Sequence, residues 1–308
     1  MQDSSTAPSP FPLRAYLFLA IVMLLWAGNS IIGRAVRDDI PPFTLALARW
    51  AGAVAVLLPF AWRRLRADVP TLRAHWLAVL VLGLLGVAAF NAFLYSGLHY
   101  TTATNGLLIQ AAVPALVLLV SRLVFGDPAP PLQVLGVVAS TIGVAWVVSQ
   151  GQILTLLHLK LGAGDLLILA ATLVWSFYTA LLRLRPAVDP LSFLVATFMI
   201  GALAMLPLAA HEWLSGERVH WHPGTFGAFA YVAVLPSIVA YFLYNRAVGA
   251  IGAGRAGQMI ALMPLFGAML AALLLGEPLH AFHLWGMACI VAGILLAAIA
   301  GRERAIRP

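Results

Sequence analysis

The sequence predicts an all-α integral membrane protein of ten transmembrane helices, arranged as two inverted five-helix repeats. Three observations predict it. The composition is 62% hydrophobic and only 9% charged, whereas a soluble domain carries about 25% charge, so this chain cannot cover itself against water. The apolar residues form ten continuous runs near the length that a helix needs to cross a bilayer. Marked letters also recur about 150 positions apart. Pro114 with Gly126-Asp127-Pro128 returns as Pro264 with Gly276-Glu277-Pro278, and Trp26 with Arg34 returns as Trp175 with Arg183.

An odd number of spans per copy sets the second copy upside down. Inverted copies are a common frame for exposing one central site to either side of a membrane in turn. Continuous rather than alternating apolar runs exclude a transmembrane β-barrel.

Residues 1–14 are polar and rich in Pro and Ser, a disordered lead-in. The run after it is too long for the core of a cleavable signal peptide. The first repeat, 15–150, holds spans at 15–34, 43–62, 75–97, 102–124 and 130–149. A connecting loop, 151–163, leads to the second repeat, 164–301, with spans at 164–183, 190–210, 223–246, 254–275 and 279–300. A basic tail, 302–308, follows. The breakers are Asp38 to Pro42, the basic stretch Arg63 to Pro70, Asp127 to Pro131, and the two longest loops, Gln150 to Gly164 and Glu212 to Pro223. The halves align further: Pro42 and Pro59 match Pro190 and Pro207, Phe93-Leu94-Tyr95 matches Phe242-Leu243-Tyr244, and Gly136 and Gly143 match Gly286 and Gly293.

With the N-terminus inside, the Arg residues crowd the inner loops, which places both termini in the cytoplasm. The net charge of +7 follows from that bias and implies no nucleic-acid partner. Cys289 is the single cysteine and permits no intrachain disulfide.

Pro114 and Pro264 fall mid-span and predict helix kinks, whose freed carbonyls must be met by protein or by water in a cavity. Pro236 adds a third hinge in span eight, with no counterpart in span three. Each Gly-acid-Pro turn combines a helix-ending glycine with a proline that cannot continue the helix. Spans five and ten carry small residues at packing spacing: Gly136, Ala139, Ser140 and Gly143, then Gly286, Cys289 and Gly293. Such faces let helices approach closely, within one chain or between two, so a monomer and a homodimer both fit.

The acids and histidines all lie in loops, tails or span ends. Ionisable groups at mid-depth usually mark ion coupling, so facilitated diffusion is the simplest expectation. Arg49 is the one charge well inside a span, roughly 10 Å from its outer end. It is a candidate docking point for a carboxylate or phosphate, or else an arginine that fixes helix packing. Uncharged polar and aromatic groups fill the middle: Trp26, Asn29 and Ser30 on span one, Asn91 and Tyr95 on span three, Asn105 and Gln110 on span four, Trp175, Ser176, Tyr178 and Thr179 on span six, Ser237, Tyr241, Tyr244 and Asn245 on span eight, and Gln258 on span nine. Singly, each serves as interhelical glue. As a set on six spans, they point to a cavity for a small, neutral or zwitterionic, partly apolar solute. No phosphate loop, metal-ligand spacing or nucleophile-base pair is present, so no catalytic residue, metal or cofactor is expected, and no enzyme.

Ten spans in two inverted fives, the tryptophan on span one, the mid-span proline and the Gly-acid-Pro turns before spans five and ten resemble the EamA-type branch of the drug/metabolite transporter superfamily. The resemblance covers about 15–301 and is nearest to bacterial amino-acid exporters of the YddG type. It implies a carrier in a bacterial inner membrane, with a cavity lined by spans one, three, four, six, eight and nine. The lining residues so implied are Asn91, Tyr95, Gln110, Trp175, Tyr178, Ser237 and Gln258, joining Trp26, Asn29 and Tyr241. The expected activity is alternating-access export of amino acids, aromatic and other neutral ones. Rival readings are export of drugs or other metabolites, and a passive channel. The expected partners are the small-molecule substrate and the lipid bilayer.

Overall fold

The structure is a computed structural model that describes residues 13–101, 109, 110, 112–149, 151, 152, 154, 162–275 and 280–306. The lead-in before Leu13, most of the connecting loop, Asn105, the Gly276-Glu277-Pro278 turn and the last two residues of the basic tail lie outside the described residues. Among the described residues there are helices and no strands. Six helical runs are long and apolar enough to cross a membrane: Leu13–Gly33, Pro42–Ala74, Trp76–Leu98, Ala163–Leu184, Pro190–Leu214 and Pro223–Ile251. Val113–Phe125, Pro131–Trp146 and Ala281–Ala297 are shorter apolar helices.

Helix α1 spans Leu13–Ala35 and α2 Pro42–Ala74. The basic stretch Arg63 to Pro70, expected as a loop, is helical, and α2 runs through it for 33 residues. Arg, Leu and Ala are good helix formers. The apolar run ends there because the chain meets water, not because the helix stops.

The third run breaks unexpectedly. Helix α3 (Trp76–Gly83) passes into a π-helical turn at Leu84–Ala89 and then α4 (Phe90–Tyr100). The same break occurs 150 positions later, where α9 (Pro223–Ala233) meets a π turn at Val234–Val239 and then α10 (Ala240–Ile251). Pro236 therefore has a structural counterpart in span three after all. Pro236 breaks its helix by lacking an N–H. Gly86 takes the matching place, and the Tyr178 ring packs so close to it that an added Cβ would lie 2.4 Å from that ring.

The freed backbone groups are taken up by side chains. Ser237 Oγ donates to Val232 O at 2.7 Å. Pro236 O accepts from Trp26 Nε1 at 3.0 Å and from Arg49 Nη2 at 3.2 Å. In the other half, Gly86 O accepts from the Tyr241 hydroxyl and Val87 O from Asn91 Nδ2.

Helix α5 (Val113–Phe125) is followed by α6 (Pro131–Val148), α7 (Ala163–Leu181) and α8 (Pro190–Leu214). After α10 come α11 (Ala253–Gln258), a 3-10 turn (Met259–Leu262), α12 (Met263–Leu275) and α13 (Ala281–Ile306). Pro114 differs from the expected mid-helix kink: it stands in the first turn of α5, where the missing N–H costs least. Pro264 lies mid-way along the helical run 253–275, just after the 3-10 turn that separates α11 from α12. The Gly126 turn forms as expected: Gly126 has φ 69°, and its N–H donates to Arg122 O at 2.9 Å.

Helix α2 packs on α8 and α6 on α13, while α1 packs on α10 and α12, as α7 does on α4 and α5. The small-residue faces of α6 and α13 meet within this chain. A Cβ on Gly143 would lie 2.7 Å from Gly286 O, and one on Gly293 would lie 2.4 Å from Gly136 O. Glu212, expected in a loop, is buried in the last turns of α8. Its carboxylate accepts from the Phe43 and Thr44 amides, both at 2.7 Å, and from Thr44 Oγ1 at 2.8 Å. Pro41, the residue before α2, caps nothing with its side chain, so Glu212 supplies the negative charge that a helix start favours.

Candidate functional site

The centre is built around Arg49, which is 3% exposed on the inward face of α2. Nε donates to Ser237 Oγ at 2.6 Å and Nη2 to Pro236 O at 3.2 Å. Nη1 faces three oxygens: the Tyr95 hydroxyl at 3.1 Å, Asn91 Oδ1 at 3.2 Å and Asn29 Oδ1 at 3.4 Å. Two Nη1 hydrogens shared among three acceptors leave the longest contact, to Asn29, the easiest to displace. The guanidinium also lies over the Trp50 ring, 4.5 Å from its centroid. Among the described residues, every ion pair involves other groups. The cation is thus held by neutral oxygens and aromatic rings, and its charge is not cancelled. Desolvating such a charge costs several kcal/mol. Each hydrogen bond to a charged group returns about 1.5–3 kcal/mol, enough to keep it in place.

Beside Arg49 stands a cluster of rings. Trp26 and Trp175 meet at 5.0 Å between centroids. Trp175 also contacts Phe90 at 4.8 Å, Tyr178 at 5.0 Å and Tyr244 at 5.4 Å. Tyr241 bridges Trp26 at 5.9 Å and Trp50 at 5.4 Å. Beneath the cluster the Tyr178 hydroxyl donates to Asn245 Oδ1 at 2.7 Å, and Thr179 Oγ1 lies 2.9 Å from the Tyr244 hydroxyl.

A small chamber remains between Arg49 and these rings. Trp26, Asn29, Arg49, Gln110, Trp175 and Tyr241 line it, all six named from sequence. Ser30, Phe90, Leu94, Val113, Ile260 and Met263 complete the wall. Apolar residues inside apolar spans carry no contrast, so nothing in the sequence marked the last five. Asn91, Tyr95 and Ser237 stand behind, orienting Arg49. Tyr178 is bonded below the chamber. Gln258 lies elsewhere: its Nε2 donates to Gly293 O at 2.7 Å and Ser140 Oγ at 3.2 Å, stitching α11 to the α6–α13 seam. The chamber holds about 30 Å³, room for a water or two, so any metabolite requires the bundle to open.

A membrane bundle with a polar centre of this kind defines a transport protein rather than a soluble binding module. The chain belongs to the EamA-like transporter family, whose model matches twice, at residues 13–149 and 162–299. It is 30% identical over 287 residues to the uncharacterized transporter YyaM of Bacillus subtilis, covering 92% of this chain and 93% of that protein. It is 31% identical over 286 residues to an uncharacterized transporter of Archaeoglobus fulgidus, covering 92% and 96%. A solved crystal structure shares the fold with a TM-score of 0.74 and 20% identity, over 95% of this chain and 99% of that one. The protein is a multi-pass membrane transporter.

Proposed function

We propose that the protein is an alternating-access carrier that exports small metabolites bearing a carboxylate, amino acids of neutral and aromatic type first among them, as YddG-type exporters do. The observation that carries this reading is Arg49, a buried guanidinium among neutral acceptors. A carboxylate taking the place of Asn29 gains a charge-assisted bond that no neutral oxygen offers. The surrounding rings suit an apolar or aromatic body.

The frame in this reading is ten spans in two inverted fives, in a bacterial inner membrane with both termini cytoplasmic. Support comes from the doubled family match, from the π turns 150 positions apart, and from packing in which α1 on α10 is answered by α7 on α4. Of the two buried acids among the described residues, Asp165 stands in the first turn of α7 and Glu212, near the end of α8, binds the amides that open α2, and neither lines the chamber. Facilitated diffusion down the substrate gradient is the simplest mechanism in this reading. The test is counterflow in proteoliposomes with a panel of labelled amino acids. Saturable exchange of at least one supports the reading, and no exchange across the panel contradicts it. Flux that never saturates would instead favour a channel.

A further inference from the structure

A second cavity lies at the end of the bundle that the arginine bias reads as cytoplasmic, between the start of α8 and the end of α10. It encloses about 270 Å³ and is separate in its lining from the central chamber. Arg185 and Arg246 stand on it, with Phe193 and Phe242 as apolar wall and Asn245 and Gly249 as floor. Among the described residues, neither arginine is in an ion pair. Arg185 reaches α10 through Nη1, which donates to Asn245 O at 3.2 Å, and it lies over Gly249, where a Cβ would come within 3.2 Å of Nη2. Asn245 is 4% exposed and its Nδ2 has no acceptor. An orphaned buried donor costs roughly 1–3 kcal/mol. Among the described residues no acid lines the cavity, and at the start of α8 Asp189 is engaged with Arg64 and the Leu191 amide, and Asp68 with the Asp189 amide.

We infer that this cavity is a binding site for an anionic phosphate, with the diester of an anionic lipid headgroup as its occupant. Two guanidiniums outside any ion pair supply the charge, and Phe193 and Phe242 give the cavity an apolar wall beside it. Basic pockets between helices at a cytoplasmic boundary hold such headgroups. Nothing at Arg49 is required for it, so this site and the transport site stand or fall separately.

The test is thermal unfolding of the full chain in neutral detergent, titrated with short-chain phosphatidylglycerol, short-chain phosphatidylcholine or inorganic phosphate. Phosphatidylglycerol raises the unfolding temperature, and the double variant Arg185→Gln/Arg246→Gln weakens its apparent affinity at least tenfold. A second variant, Gly249→Leu, fills the cavity while keeping both arginines and produces the same loss. An equal shift with inorganic phosphate, lost in the same variants, assigns the site to free phosphate. A shift that phosphatidylcholine reproduces, or that both variants retain in full, overturns the proposal.

Discussion

Trp26 and Trp175, which occupy matching places in the two halves, meet edge to face at the centre of the molecule, with centroids 5.0 Å apart and planes at 89°. Trp26 also ties α1 to the π turn at Val234–Val239 through its bond to Pro236 O. The two contributions separate by mutation. Trp26→Phe keeps the ring contacts and drops the bond, for an expected loss of about 1–2 kcal/mol. Trp26→Ala loses both, about 3–5 kcal/mol. Thermal unfolding in detergent measures the difference, and equal losses would show that the rings contribute little.

Tyr178 bonds Asn245 at 2.7 Å, while Asn29, which holds the place of Tyr178 in the first half, faces Tyr95 at 3.4 Å. The first pair is tight and structural; the second is loosened by Arg49. Tyr178→Phe should therefore lower stability by about 1–2 kcal/mol, while Tyr95→Phe should lower it less and alter substrate affinity instead. Unfolding and flux measured on both variants check this. The assignment fails if the two behave alike.

The join between α2 and α8 depends on Glu212. Glu212→Gln removes the charge from two amide contacts at the start of α2, at a cost of about 2–3 kcal/mol. Its measure is the midpoint of denaturant unfolding. An unchanged midpoint would mean that α2 is held by packing on α8 alone.

On the α6–α13 seam, Gly293→Ala forces a Cβ against Gly136 O and should cost about 1–3 kcal/mol. Gly267→Ala, with nothing within 4 Å of the added carbon, is the neutral control. A similar unfolding temperature for both would show that the seam has room to spare.

Much of this frame is legible in the sequence, because bilayer length and repeat spacing are written in strong letters. The small residues of spans five and ten announced a close contact, and only the packing revealed that the two faces meet each other. Three features escaped, each for a physical reason. The apolar run of span two ends where water begins, whereas the helix continues through Arg63 and Arg66. The π turn at Leu84–Ala89 has no proline to betray it. Glu212 reads as a loop acid unless one notices that α2 begins on prolines with no capping side chain. At the site, Arg49 and the rings stood out as rare letters in apolar text. The division into residues that line the chamber and residues that orient Arg49 depends on helix rotation, which the sequence does not carry.

The proposed function rests on Arg49 reading a carboxylate. The direct measurement is efflux from proteoliposomes of a matched pair, labelled phenylalanine and its decarboxylated amine, for wild type and Arg49→Gln. Wild type should move the acid and not the amine, and Arg49→Gln should lose acid flux at least tenfold while remaining folded. Equal flux of acid and amine through wild type, or undiminished acid flux through Arg49→Gln, would contradict it.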